Sequence, residues 1–331
     1  MTIYLIILIT LILAYAFLNG FHDSCTVVAT IIASRAVSIK VALIIAALGN
    51  LLGPFILGTA VAKTLGEGLF NLYEFKLEAI LFALLSAILW SIVTWYFAIP
   101  SSSSHTIIGA MLGASIIFNG FSFIKLAGLY RILMFLILSP LIGYIFAYLN
   151  SKIANFFLKN SKPNINKILN ILQIPLSVIV AISHGANDSL KTTSLMAMVF
   201  FIMGLSSRFT IPFWMIATNA VAISIGTIIG GGRIIKTLGQ RIYKIRPING
   251  FSSQLSSAII IGISSILGGP VSSTHIVTSA IVGSGASERI SKIRWTTLNK
   301  LIFVLFITIP ASAIFSMFLS YLYISIKGWL L

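Results

Sequence analysis

Long apolar runs separated by short polar connections recur from one end of the chain to the other. Residues 2–18, 41–62, 79–99, 132–149, 212–231 and 298–325 carry almost no charge. A hydrocarbon core about 30 Å thick is crossed by about 20 apolar residues in helical form, so each run predicts a membrane-spanning helix. Two shorter apolar stretches begin differently. Pro100 precedes Ser101–Ser104, Pro270 precedes Ser272–Thr274, and a short apolar segment follows each. Proline suits the first turn of a helix, and serine or threonine suits its cap. Each motif therefore predicts a half-helix that starts inside the membrane. The expected fold class is an all-α polytopic membrane protein with discontinuous half-helices and about 10–12 membrane segments. The first apolar run lacks a basic leader and a small-residue cleavage site, and is expected to remain as a helix rather than act as a signal peptide.

Composition agrees with this pattern. Of 331 residues, 58% are hydrophobic and 8% charged, against roughly 25% charged in soluble domains, and the mean hydropathy is +1.06. A lone cysteine, Cys25, excludes an intramolecular disulfide. The formal charge of +16 does not imply nucleic acid, because the basic residues sit in short connections. Arg35 and Lys40 form one group, Lys152, Lys159, Lys162 and Lys167 another. Arg233, Lys236, Arg241, Lys244 and Arg246 form a third, and Arg289, Lys292 and Arg294 a fourth. The positive-inside rule puts all four on the cytoplasmic side of a plasma membrane. The amino terminus and the segment with Glu67, Glu74 and Glu78 are then outside. Anionic lipid is the expected partner of the basic loops.

The chain also repeats itself. "NGFHDS" at 19–24 matches "GANDS" at 185–189, "AKTLG" at 62–66 matches "IKTLG" at 235–239, and "IPSSSSHTIIGAMLGAS" at 99–115 matches "GPVSSTHIVTSAIVGSGAS" at 269–287. The order is kept, so the expected units are residues 1–150, a basic linker at 151–167 and residues 168–331. The first "KTLG" leads to the acidic segment and the second to a basic one. Equivalent elements would then face opposite sides, which is an inverted-topology repeat. Gly49, Gly53, Gly58, Gly226, Gly230 and Gly231 are expected to permit close helix packing.

Chemistry is concentrated in these motifs. The only aspartates, Asp23 and Asp188, lie in the first matched pair, and the four histidines, His22, His105, His184 and His275, all lie in matched motifs. Ionisable side chains at membrane depth are costly and face a protein interior or a water-filled cavity, where they are functional by default. Half-helix amino termini attract anions through their N–H groups and dipole, so two of them meeting at the midplane would form an anion cradle. Ser, His and Asp do not add up to a hydrolase, because each occurs twice and no nucleophile-elbow pattern is present. No cofactor is expected. The four histidines either brace the half-helices or take part in proton coupling.

"SHGANDSLKTTSLMA", "GGPVSSTHIVTSAIVG" and "IRWTTLNKLIFVLFITIPASAIFS" at 293–316 closely resemble the signatures of the PiT family of inorganic phosphate transporters. The resemblance runs in order along nearly the whole chain. It implies an inverted repeat, import of phosphate with sodium or protons, and a homodimer. Carried onto matching positions, it implies a substrate and cation site of Asp23, Ser102, Ser103, Ser104, Asn187, Asp188, Ser272, Ser273 and Thr274. Lys191 and Thr192 match the basic and hydroxyl positions of bacterial relatives. The expected cation ligands, with Na+ at Asp23 and Asp188, are completed by Ser24, Thr26, Ser189 and Thr192.

This chain departs from the family in its first signature, where His22 and Thr26 stand in place of two asparagines, and Ser194 stands where glycine is common. Imidazole is a poor ligand for a hard cation and titrates near neutrality, which bears on whether Na+ or H+ is coupled, with Na+ favoured. A sulfate permease of the same fold, a passive anion channel and a membrane scaffold without turnover are the rival readings. Carboxylates in the pathway oppose a channel, and duplicated polar motifs oppose a scaffold.

Overall fold

The computed structural model describes residues 2–73, 75–97, 101–230 and 245–330. Apart from an isolated bridge between Phe70 and Ile124, these residues form helices and their connections. In chain order the helices are α1 Thr2–Ala33, α2 Ile39–Leu57, α3 Ala60–Gly66, α4 Leu77–Tyr96, α5 Ser103–Phe118, α6 Leu126–Leu158, α7 Ile165–Ile202, α8 Phe213–Ile229, α9 Pro247–Ile266, α10 Ser273–Glu288 and α11 Trp295–Leu330. Every apolar run read from the sequence lies largely within one of them. Among the described residues, six helices are long and apolar enough to cross a membrane: α1, α2, α4, α6, α7 and the Phe306–Lys327 part of α11. Their outward faces carry bulky apolar side chains such as Ile44, Phe55, Leu141, Phe303 and Phe306. In water this surface would drive aggregation; in lipid it is solvated.

The two expected half-helices are α5 and α10, each 16 residues long. At 1.5 Å per residue each reaches about 24 Å, short of a full span. Each pairs with the helix before it as a hairpin that returns to its starting end. In the first, Lys76 N donates to Asn119 Oδ1 at 2.7 Å, joining the start of α4 to the end of α5. In the second, Asn249 Nδ2 donates to Glu288 Oε1 at 3.1 Å, joining the start of α9 to the end of α10. Helix α6 relates the two. Arg131, near its start, donates to Leu267 O at the tip of the second hairpin, and Ser151, near its end, meets Ser284 towards that hairpin's base. The first hairpin has its base at the start of α6 instead, where Lys125 N bonds to Leu69 O. The hairpins therefore open to opposite ends of the molecule.

Packing is crossed between the halves of the chain. Helix α2 runs along α7, α1 along α8, α5 along α11 and α6 along α10. Glycine permits the closest of these approaches. A Cβ on Gly53 would collide with the backbone of Ile182 and Ala186, and one on Gly230 with the backbone of Phe21. Gly49 and Gly226 have the same role against Ala181 and Phe17. Gly58 differs from expectation: it ends α2 at φ 79° with open space around it. Its requirement is conformational, because a positive φ favours a residue without Cβ. Gly231 and the second "KTLG" lie outside the described residues.

Two buried apolar clusters flank the polar centre. Helix α1 contributes Leu8, Ile12 and Tyr15 to one and Val27, Val28 and Ile31 to the other, with Asp23 between. Helix α7 contributes Val180 and Ala181 to the second and Leu190 and Leu195–Val199 to the first, with Asp188 between.

Candidate functional site

The half-helices begin as capping chemistry requires. Ser102 Oγ accepts from His105 N at 3.2 Å, and Ser272 Oγ accepts from His275 N at 3.3 Å. Both residues have extended backbone, with Ser272 at φ −93° and ψ 102°, as an amino-terminal cap needs. Helix geometry leaves the N–H groups that follow without intrahelical partners. Pro270 does not occupy the first turn as the sequence suggested. It lies before Val271 and the cap, because the cap position goes to the residue whose side chain can accept. Pro100 lies outside the described residues.

Both aspartates are held by the hydroxyls of these starts. Ser103 Oγ donates to Asp23 Oδ2 at 2.7 Å, and Thr274 Oγ1 donates to Asp23 Oδ1 at 3.0 Å. Asp23, in the middle of α1, thus touches both half-helices. Ser273 Oγ donates to Asp188 Oδ1 at 3.3 Å. Thr26 lies 3.2 Å from Thr274, and since the Thr274 proton is directed to Asp23, Thr26 is the donor. Asp23 is 2% exposed and Asp188 0%, so bulk water does not solvate either carboxylate.

Lys191, one turn beyond Asp188 on α7, is 2% exposed. Its Nζ lies 2.5 Å from Asp188 Oδ1 and 2.9 Å from Val271 O, and also donates to Ser104 Oγ. Ser104 Oγ in turn donates to Val271 O at 2.8 Å. One ammonium therefore joins α7 to both half-helix starts.

The histidines take three different positions. His105 and His275 meet edge to face with centroids 4.6 Å apart, and His105 Nδ1 is 2.8 Å from Ser102 Oγ. His22 Nε2 is 3.4 Å from Thr94 Oγ1, and its Nδ1 is 4.0 Å from Asp23. His184 stands in the centre. Its Nε2 is 3.3 Å from Asp188 Oδ2, and Nδ1 is 3.1 Å from Asn50 Oδ1. Asp23, His184 and Asp188 together offer three ligand atoms, all within 4.8 Å of one another, a set able to hold a cation.

Other residues of the motifs bond within α7 or to the connection ahead of α10. Ser189 donates to Gly185 O and Thr192 to Ser189 O, both within α7. The side chain of Ser24 lies outside the described residues. Asn187 clamps the connection ahead of α10: its Oδ1 accepts from Val271 N at 3.2 Å, and its Nδ2 donates to Gly269 O at 3.1 Å and Ser265 Oγ at 3.2 Å. Asn187→Ala leaves those groups unpaired in a buried place, at about 1–3 kcal/mol. The expected result is a lower apparent Tm in detergent, read by intrinsic fluorescence.

Some contributors were not singled out from the sequence. Tyr15 donates to Ser103 O at 2.8 Å, Thr94 accepts from Ser101 at 3.0 Å, and Asn50 orients His184. Asn50 had a signal, since an amide alone in an apolar run is costly there. Thr94 had none, because threonines in membrane helices usually bond their own backbone.

Two half-helix starts thus converge on two buried aspartates. The sequence profile of the phosphate transporter family matches residues 19–316. The chain belongs to the phosphate transporter family. That makes it a transporter rather than an enzyme. Two similar proteins, each described as "Probable low-affinity inorganic phosphate transporter", come from Rhizobium meliloti (strain 1021) and Bacillus subtilis (strain 168). They are 38% identical over 311 and 312 residues, covering 93% of this chain and 93% of each relative. A solved structure described as "The sodium-dependent phosphate transporter" has the same fold, with TM-score 0.86 and 22% identity over 98% of this chain and 99% of that one.

Proposed function

We propose that this member of the phosphate transporter family imports inorganic phosphate by symport with a cation, sodium in preference to a proton, through alternating access at the enclosed centre. The observation that carries this reading is the meeting of Ser103 and Thr274, from opposite half-helices, on one carboxylate, Asp23. Donors of the two helix starts, the N–H groups and hydroxyls of Ser102–Ser104 and Ser272–Thr274, suit a tetrahedral oxyanion. Bare carboxylates would repel that anion. Asp23 and Asp188 make sense as ligands of sodium, or as acceptors for the proton that phosphate retains. Either way cation and anion bind better together than apart, which is the thermodynamic basis of coupling. The names of the relatives and of the structural neighbour favour phosphate and sodium.

Residues 1–150 and 168–331 are read as the two inverted repeats, joined by the basic stretch 151–167. Support comes from hairpins that open to opposite ends, with Glu67 and Glu78 near the base of the first and Arg246, Arg289 and Arg294 near that of the second. With the basic end cytoplasmic and bordered by anionic lipid, the amino terminus is outside. Rocking of one bundle against the other opens such a midplane site to either side. The test is uptake of labelled phosphate and labelled sulfate into proteoliposomes under separate sodium and proton gradients. Saturable, sodium-driven phosphate uptake is expected. Sulfate uptake without phosphate uptake would discard the substrate, and uptake indifferent to both gradients would discard symport.

A further inference from the structure

We infer that Lys191 acts as a resident cation, holding Asp188 Oδ1 throughout the cycle, so that a single exchangeable sodium ion binds beside it between Asp188 Oδ2 and the Asp23 carboxylate. This rests on the sodium-symport reading above and adds what sets its stoichiometry.

The ammonium of lysine has three donors and no acceptor. Here three acceptors take them: Asp188 Oδ1, Val271 O and Ser104 Oγ. None remains for a phosphate oxygen, so Lys191 does not grip the anion in this arrangement. Its partners are a carboxylate, a carbonyl and a hydroxyl oxygen, the hard oxygen set that an alkali cation would itself draw. The lysine stands where a sodium ion would, but it is tethered to α7 and cannot be carried across.

The other oxygen of Asp188 faces a different neighbour. Thr227 Oγ1 donates to Ile223 O at 2.8 Å, so it accepts from Asn50 Nδ2, also at 2.8 Å. That orients Asn50 Oδ1 towards His184 Nδ1, which must carry the proton of a neutral ring. His184 Nε2 therefore presents a lone pair to Asp188 Oδ2 at 3.3 Å. Both atoms are buried, and neither has a hydrogen-bond donor among the described residues. Asp188 Oδ2 and the Asp23 carboxylate lie with this lone pair all within 4.8 Å of one another, and the charge of the two carboxylates favours a cation between them. The tethered ammonium occupies one side of Asp188 and the exchangeable ion the other.

The test counts sodium ions in the purified full chain, by equilibrium binding of radioactive sodium in detergent and by the sodium dependence of uptake in proteoliposomes. About one sodium per protomer is expected for the wild type and about two for Lys191→Met, which frees Asp188 Oδ1, Val271 O and Ser104 Oγ, with a matching steeper sodium dependence. An equal count in both proteins overturns the inference. So does lower phosphate affinity at saturating sodium with an unchanged count, the mark of a lysine that grips phosphate. If Lys191→Met does not fold, the wild-type count decides alone: two or more ions overturn the inference, and one supports it. If uptake follows only the proton gradient, sodium coupling fails, yet the lysine assignment still stands or falls separately. One sodium bound by Lys191→Met and none by the wild type would retain it, and none by either would overturn it.

Discussion

Asp188→Asn is expected to lose coupled phosphate uptake and, in addition, to lose stability. The carboxylate is fully buried against the Lys191 ammonium at 2.5 Å. Removing one partner of such a pair leaves a charge with no counter-charge in a low-dielectric interior, at a cost of about 3–5 kcal/mol. Two separate effects are superimposed, and a double substitution resolves them. Asp188→Asn with Lys191→Met removes both charges, so the apparent Tm should recover most of what the single substitution lost. Uptake should not recover, because the negative charge that Asp188 places beside His184 is still missing. Recovery of sodium-driven uptake in the double variant would mean that Asp188 serves only to neutralise the lysine. Scanning fluorimetry and proteoliposome uptake on the same preparations provide both readings.

Asp23→Asn should behave differently, although the two aspartates are matched in the repeat. Asp23 is held by two neutral hydroxyls, Ser103 and Thr274, and the nearest basic group is His22 at 4.0 Å. An amide oxygen can still accept from either hydroxyl, so folding should be close to wild type. What is lost is the negative charge that makes sodium and phosphate favour each other. Coupling free energies of this kind are about 1–3 kcal/mol, or about 5- to 150-fold in affinity. Phosphate affinity at saturating sodium should therefore fall by that factor and become insensitive to sodium. Stimulation by sodium equal to the wild type would remove Asp23 from the cation site.

The contrast between the two aspartates marks where sequence reading ends. Charge at membrane depth is expensive enough that Asp23, Asp188 and the four histidines stand out in a chain this apolar. The Ser runs stand out too, since consecutive hydroxyls behind proline have few other uses inside a bilayer. Long apolar helices were equally legible. Helix α9 was not, because Ser252, Ser253, Ser256 and Ser257 lower its hydropathy, although all four are buried against other helices. Lys191 could be seen as an unusual charge, but not that its acceptors are Ser104 and Val271 O. Those lie far from it in sequence and arrive only when both half-helices close on α7. The same applies to His184, whose protonated nitrogen is decided by Asn50 and Thr227 on two further helices. Motifs reveal which side chains are expensive, while the roles those side chains take depend on long-range contacts.

Crossed packing bears on how the chain is made. Helix α1 leaves the ribosome long before α8, yet the two lie along each other, and α2 lies along α7. The carboxylate in the middle of α1 finds Thr274 only after most of the chain has been synthesised. Until then the first half must wait in the membrane with Asp23 partnered from within its own half alone. A nascent chain halted before α7 has no α7 or α8 on which α2 and α1 can close, and is the form a membrane quality-control protease should recognise.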